Sequence, residues 1–270
     1  MRGVAVLGAN GRMGQALVRL LVDHPRLRLA GALTEAGNAS VGRDAGELAG
    51  TGANGVVVTD SLAAALAAAD VVIDFSAAVA TPAHLAAAAE RGIPVVIGTT
   101  GLGADGERSV AAAAARIPVV YSRNMSLGIT VLTELARQAT RLLGPGFDVE
   151  IVEAHHRHKL DAPSGTALQL GEAVAAARER PLAELRIPGE GARAGARPAG
   201  GIGFASVRAG AIVGDHSVLL VGAEETLELR HHAADRALFA RGALQAADWA
   251  IGRTAALYSM RDVLGIAGAG

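Results

Sequence analysis

The chain has 270 residues, 51% of them hydrophobic and only 19% charged, which suffices to bury a core in one large or two modest domains and leaves little room for long disorder. A formal net charge of -1 excludes a general attraction to polyanions such as nucleic acid or an acidic membrane surface, and no apolar stretch approaches the roughly 18 residues of a membrane helix. The absence of cysteine excludes disulfides, thiolate metal sites and cysteine nucleophiles.

The first eight residues, MRGVAVLG, form a short apolar run broken by glycine, unlike the longer apolar stretch of a signal peptide, so a cytoplasmic location is expected. Residues 4–7 read as a strand, and Ala16, Leu17, Leu20 and Leu21 fall at helical spacing in a helix over about 15–22 that His24-Pro25 stops. Strands follow at 29–33 and 56–58, Ser61 opens a Leu/Ala helix, and 71–75 is a fourth strand. Thr81-Pro82 has the composition of an N-cap and first helical turn, Arg91-Gly92 closes that helix, and a strand at 93–97 runs into Gly98-Thr-Thr-Gly101. A further Ala-rich helix and a strand at 117–121 complete the alternation. Continuous Val/Ile runs separated by helices predict an α/β fold with a doubly wound, Rossmann-like parallel sheet covered on both faces.

The pattern changes after residue 126. One helix is predicted from near Ser126 to Gly144-Pro-Gly146 and another over about 165–180. Residues 147–151 and 226–230 alternate with period two and join apolar segments at 202–204 and 218–221 in a mixed or antiparallel sheet. Residues 189–203, rich in Gly, Arg and Pro, are expected to be a mobile loop, and 236–251 returns to amphipathic helix. The expected organisation is a dinucleotide-binding domain of residues 1–126 and 237–270, split by a second, α+β domain of residues 127–236 that binds substrate and forms oligomers.

Such a parallel sheet binds ligands beyond the carboxyl ends of its strands. The turn there is Gly8-Ala-Asn-Gly11-Arg-Met-Gly14, a GxxGxxG spacing that lets backbone amides approach a pyrophosphate at a helix start. By itself it is equally a glycine turn; the strand before it and the helix after it favour a cofactor loop. Glu35, about 20 residues on, stands where an acidic side chain holds the adenosine ribose of NAD, and is otherwise a solvated loop glutamate. No arginine adjoins it to receive a 2′-phosphate, so NADH is favoured over NADPH.

The run EAHHRHKLDAPSGTA at 153–167 gathers three histidines, an arginine and a lysine ahead of a helix. Thr166 with Gln169 forms a capping-box pattern, and the amides of Gly165 and Thr166 at the helix start can bind a carboxylate. A metal site is disfavoured because His155 and His156 are adjacent and diverge on a strand, and nucleic-acid binding because aromatics make up only 3% of the chain. A solvated basic loop is the plain alternative for Arg157 or His158; proton donors beside an anion-binding helix start fit catalysis on a carboxylate better.

This run resembles the signature of the bacterial dihydrodipicolinate (4-hydroxy-tetrahydrodipicolinate) reductase family of lysine and diaminopimelate synthesis. Supporting segments are the glycine loop, residues 44–50, 73–75, 98–101, 203–210 and 260–264. The resemblance implies an NAD(P)H-dependent oxidoreductase that passes hydride to a cyclic imine dicarboxylate with loss of water. It implies His155 as proton donor or acceptor, Lys159 as proton donor, His156 as a substrate contact, and Gly165 and Thr166 at a substrate carboxylate. Cofactor contacts would fall on Gly8, Ala9, Asn10, Gly11, Arg12 and Met13, on Gly98, Thr99 and Thr100, and on Ser122, Arg123, Asn124 and Met125. Glu35 falls where the family sometimes has arginine, which leaves dual cofactor use open. No metal, nucleic acid or membrane is implied, and family members resemble homotetramers joined through the second domain's sheet. A nucleotide sensor without chemistry is the rival from another class, disfavoured by the intact His155, Lys159 and Gly165-Thr166, and a reductase of another imine or aldehyde acid is the nearer alternative.

Overall fold

A computed structural model describes residues 1–187 and 196–266, and the chain divides into two units, Met1–Leu127 with Ala237–Gly270, and Gly128–Arg236. The first unit opens β1 (Arg2–Leu7), α1 (Arg12–Leu21), β2 (Leu27–Leu33), α2 (Ala45–Ala49), β3 (Val58–Thr59), α3 (Leu62–Ala65), β4 (Val71–Asp74), α4 (Thr81–Glu90), β5 (Val95–Ile97), α5 (Gly103–Ala114) and β6 (Pro118–Tyr121). Successive side chains of a strand face opposite sides of the sheet. Val4 and Val6 of β1 therefore join one core cluster while Ala5 and Leu7 join another, and both sides are apolar because both are covered.

The second unit is built from α6 (Leu127–Leu143), β7 (Asp148–His155), α7 (Gly165–Ala177), α8 (Leu182–Leu185), β8 (Ile202–Arg208), β9 (Asp215–Val221) and β10 (Thr226–His232). Its four strands lie in the order β10-β9-β7-β8, with β8 parallel to β7 and the other pairs antiparallel, a mixed sheet. The core is on one face only. Val149 and Ile151 of β7, Ile202, Val218 and Leu220 pack with Ile129, Leu132 and Ala136 of α6 and Leu170 and Val174 of α7.

The chain then returns to the first unit as α9 (Ala237–Ala250), β11 (Ala256–Tyr258) and α10 (Met260–Val263). Its sheet has seven strands, all parallel, in the order β11-β6-β5-β4-β1-β2-β3. On one face α9 buries Ala240, Ala243, Ala246 and Ala247 in the core that α1 completes. Small residues let that helix lie close to its neighbours: a Cβ on Gly242 would stand 1.8 Å from the carbonyl oxygen of Met125.

Several local expectations change. Helix α1 begins at Arg12, three residues ahead of the predicted start, because Gly11 already serves as its extended N-cap. Thr81 and Pro82 are the first two helical residues of α4 and Ala80 is the cap; the Thr81 hydroxyl is buried without a hydrogen-bond partner and caps nothing. The expected loop at 189–203 lies in part outside the described residues. Its described end is tied down, since Arg197 ion-pairs with Asp148 and Glu150 and β8 starts at Ile202.

Candidate active site

In the first unit, Gly8 ends β1 at a φ of +80°, a left-handed conformation that a Cβ would strain, and that Cβ would meet the carbonyl oxygen of Phe75 at 2.6 Å. Gly14 is pinned by proximity: a Cβ there would stand 2.2 Å from the Gly8 carbonyl oxygen. These glycines fold the loop tightly onto the start of α1, whose N-cap Gly11 offers no side-chain oxygen to the first-turn amides. Beside the loop lies a cavity of about 230 Å³ lined by Gly8, Asn10 and Gly11, by Thr34 and Glu35 beyond β2, and by Phe75, Ser76 and His84. It sits at the carboxyl ends of β1, β2 and β4, where this fold accepts nucleotides.

Glu35 is held in that wall. Thr34 Oγ1 donates to it at 2.9 Å and Asn38 Nδ2 at 2.5 Å, and with its own backbone amide these bonds draw its pKa below the usual carboxylate value. Behind the wall lies a buried cluster that the sequence reading missed. Asp74 accepts from Ser76 Oγ at 2.6 Å and from Thr99 Oγ1 at 3.3 Å, and pairs with His84 Nδ1 at 3.0 Å. Burial would raise the Asp74 pKa, but the bonds from His84 and Ser76 outweigh it and hold the group ionised.

The remaining predicted cofactor residues are dispersed. Arg12 and Met13 open α1, with Arg12 exposed, and Ala9 is buried in the core. Gly98, Thr99 and Thr100 follow β5, and Thr99 spends its hydroxyl on the Asp74 cluster, so they do not line the cavity. After β6, Ser122 Oγ donates to the Asn124 carbonyl at 2.7 Å, Arg123 neighbours the Tyr121 hydroxyl, and the Met125 side chain packs in the core.

In the second unit, period two puts Val149, Ile151, Glu153 and His155 on one face of β7. The first two are core; Glu153 continues the same buried row as a carboxylate, its side chain fully enclosed. Across the sheet, His216 of β9 is the register partner of Glu153, and Arg208 of β8 that of His155. Arg208 forks onto the carboxylate, Nη1 to Oε2 at 2.8 Å and Nη2 to Oε1 at 2.6 Å. Burial alone would raise the Glu153 pKa; bonds from Arg208, Ser206 and His155 win and bring it down to about 2. An ionised carboxylate only accepts, so His155 Nδ1 carries the proton and donates to Glu153 Oε2 at 2.5 Å. In the neutral ring this tautomer leaves the lone pair on Nε2. Beside it Gly214 has no side chain; a Cβ there would stand 3.1 Å from Nε2.

The loop after β7 turns back with the Lys159 amide donating to the His156 carbonyl, and Lys159 Nζ lies 2.7 and 2.9 Å from the Asp161 carboxylate oxygens. His156 and His158 pack ring to ring at 6.4 Å; desolvation, then the charges of Arg236 and His158, lower the His156 pKa. The cap of α7 is Ser164, not the predicted Thr166: its buried hydroxyl accepts from the Ala167 amide, which leaves Gly165 and Thr166 as the first two helical residues. A side chain at position 165 would meet nothing within 4 Å, so the helix start opens onto free space. Among the described residues no group of three or more His, Asp or Glu side chains is arranged to hold a metal.

A doubly wound unit with a glycine loop and a carboxylate beside it, followed by a mixed-sheet unit with an oriented imidazole and an ammonium, fits the class of a nicotinamide-dependent oxidoreductase. The family models described as dihydrodipicolinate reductase, N-terminus and C-terminus, match residues 2–125 and 128–264. The chain is 48% identical over 264 residues to the 4-hydroxy-tetrahydrodipicolinate reductase of Halorhodospira halophila, covering 98% of this chain and 99% of that one. With the enzyme of the same name from Thiobacillus denitrificans it shares 51% over 263 residues, or 97% and 98%. A dipicolinate-bound dihydrodipicolinate reductase from Paenisporosarcina sp. TG-14 shares the fold, with a TM-score of 0.77 at 23% identity over 99% of this chain and 100% of that one. This chain belongs to the dihydrodipicolinate reductase family.

Proposed function

We infer that the protein is a 4-hydroxy-tetrahydrodipicolinate reductase, which consumes a hydride and a proton to convert the cyclic imine dicarboxylate to tetrahydrodipicolinate with release of water, a step of lysine and diaminopimelate synthesis. When bound, the reduced nicotinamide supplies the hydride. Gly8, Asn10, Gly11 and Glu35 would hold the ribose-phosphate part, Glu35 by its carboxylate and Gly8 and Gly11 by letting the chain come close, since their own amides are spent on the carbonyls of Leu33 and Gly8; the close packing of Gly8 and Gly14 fits such an approach. Ala9, Arg12, Met13, Gly98, Thr99, Thr100, Ser122, Arg123, Asn124 and Met125 complete the proposed nucleotide contacts. The anionic Glu35 favours NADH, because a 2′-phosphate beside it would meet like charge.

In the second unit, the amides of Gly165 and Thr166 receive a substrate carboxylate at the positive end of α7, with His156 as a further contact. The Lys159 ammonium provides the proton for the reduced ring, and His155 holds or accepts a proton at Nε2. Cationic groups around the ring stabilise the electron density that builds as it is reduced. The observation that carries this reading is the ionised Glu153 fixing the His155 tautomer at the start of the loop that presents Lys159. Residues 1–126 with 237–270 serve as nucleotide domain and 127–236 as substrate domain, working as a cytoplasmic homotetramer.

The test is a coupled assay with the condensation product of pyruvate and aspartate semialdehyde, following NADH absorbance. Lys159→Ala is expected to lower kcat by about 1,000-fold with the nucleotide Kd changed less than about twofold. Unchanged turnover would remove Lys159 from the chemistry, and no turnover in the parent protein would refute the substrate.

A further inference from the structure

One buried ion pair touches His155, the loop that presents Lys159 and the start of α7. Glu153 Oε2 takes the Nδ1 proton of His155, while Oε1 accepts from the backbone amide of Ser164, the cap of α7, at 3.2 Å. Arg208, forked onto both oxygens, donates from Nη2 to the carbonyl oxygen of Asp161 at 2.7 Å, and the Asp161 side chain holds Lys159. His216 closes the back of the cluster. Its Nε2 lies 3.1 Å from Ser164 Oγ, its ring stands edge-on to His155 at 5.2 Å between centroids, and it is almost wholly buried.

Family membership and the assay above speak to His155, Lys159, Gly165 and Thr166. They give Glu153 no role beyond the His155 tautomer and leave Arg208, Ser164 and His216 without one, although burying an ionised carboxylate in a core row is costly and would be simpler to avoid. We propose that Glu153, clamped by Arg208, is the positioning residue of the site: it fixes the His155 tautomer and registers the imidazole, the Lys159 loop and the carboxylate-binding start of α7 against a single rigid group. Three groups from a strand, a loop and a helix share one anchor, so a displacement of any of them costs a hydrogen bond to a buried charge. His216 acts with Ser164 as the wall of this anchor and touches no substrate.

The proposal rests on the site assignment made above, and the experiment separates the two. Glu153→Gln keeps the shape of the side chain but offers the His155 ring an amide in place of an acceptor-only group. In the intact protein, kcat is expected to fall about 100-fold with the KM for NADH within about twofold. The groups facing His155 are Glu153 on its own strand, Arg208 on β8, His216 on β9, and His156 and Lys159 in the following loop. Loss of the one anion among them moves the acidic limb of the kcat profile to lower pH. Histidine side-chain 15N spectra are expected to change from a single Nδ1-protonated tautomer at His155 to a mixture.

Should Glu153→Gln fail to fold because the half-buried Arg208 loses the carboxylate it forks onto, Glu153→Gln with Arg208→Gln removes both charges together, and the same loss of kcat and of the single tautomer is expected. His155→Ala is measured alongside. An inactive His155→Ala with a Glu153 variant of parental kcat, pH profile and tautomer would overturn the positioning role and leave the site assignment standing. An active His155→Ala would overturn the assignment and the proposal with it.

Discussion

Around the loop after β1 the groups offered to a ligand are main-chain amides shaped by Gly8 and Gly14, whereas at the end of β7 they are side chains, His155 and Lys159, each held by a carboxylate. The first arrangement is made by close approach of backbone and is defended by the absence of atoms. The second is made by charge, with an ion pair inserted into a core row. It follows that the proposed nucleotide end should be brittle to added volume and, with its buried Asp74 held ionised below the usual carboxylate range, little affected by proton uptake above about pH 4, and the proposed substrate end the reverse.

Acid separates the two most sharply. The histidines whose pKa is lowered, His156, His216 and His231, all lie in the second unit. For His216, desolvation first and the neighbouring His155 second bring the value from 6.5 to about 4. An unfolded chain binds that proton as the pH falls through 6.5 while the folded one resists until about 4. The stability this withholds is therefore complete above 6.5 and is lost progressively between those values, on the order of 3 kcal/mol. Glu153 adds a second step of similar size: its contribution is present above 4.5 and disappears as the pH falls towards about 2. Hydrogen exchange between pH 7 and 4 is expected to show amides of β7 and β9 losing protection while those of β1 and β4 keep theirs. Simultaneous loss in both sheets would mean that charge burial is not what distinguishes the units.

Volume tests the other half. Gly14→Ala puts a methyl 2.2 Å from the Gly8 carbonyl oxygen and 2.6 Å from Ala9 Cα, both backbone atoms that cannot swing away. Overpacking of that kind costs about 2 kcal/mol, and the shifted loop should weaken NADH binding at least tenfold while leaving the acid transition of the second unit unchanged. Thermal unfolding and a fluorescence titration with NADH read both effects. Wild-type affinity would show that the loop has room to spare.

The same contrast governed what could be read from the sequence. The parallel sheet was legible because strands buried on both faces are continuous runs such as Val71-Val-Ile73, and the second unit because Phe147-Asp-Val-Glu-Ile151 alternates. Helix α2 left no periodic signal: its five residues are held by Asp44, whose carboxylate takes the amides of Gly46, Glu47, Asn54 and Gly55. Strand β11, three residues at the edge of the sheet, is too short for any pattern. At the candidate site, the proposed reacting groups His155 and Lys159 were visible in one contiguous run, but their supports were not. Glu153 and Arg208 lie 55 positions apart and Glu153 and His216 pair across an antiparallel register, so nothing local announces them. A sign was present all the same: in the period-two row Val149, Ile151, Glu153, an acid stands where the pattern calls for an apolar side chain, and a buried acid requires a cationic partner.

The smallest effect expected lies at Glu35, where the two proposed modes of recognition meet, for it is the carboxylate in the wall of the cavity beside the glycine loop. Its carboxylate is oriented by Thr34 and Asn38 and is ionised at neutral pH. A carboxylate accepts the two ribose hydroxyls of NADH and repels the phosphate that replaces one of them in NADPH. Glu35→Gln keeps the hydrogen-bonding reach but removes the repulsion. The ratio of kcat/KM for NADH to that for NADPH is therefore expected to fall several-fold, through a rise with NADPH more than a loss with NADH. Because Glu35 is at the surface and solvent screens it, the change should shrink further as ionic strength rises from 10 mM to 0.5 M. A ratio that is unmoved by the substitution and by salt would show that selection between the two nucleotides rests on the shape of the loop, and the first unit would then be governed by backbone throughout.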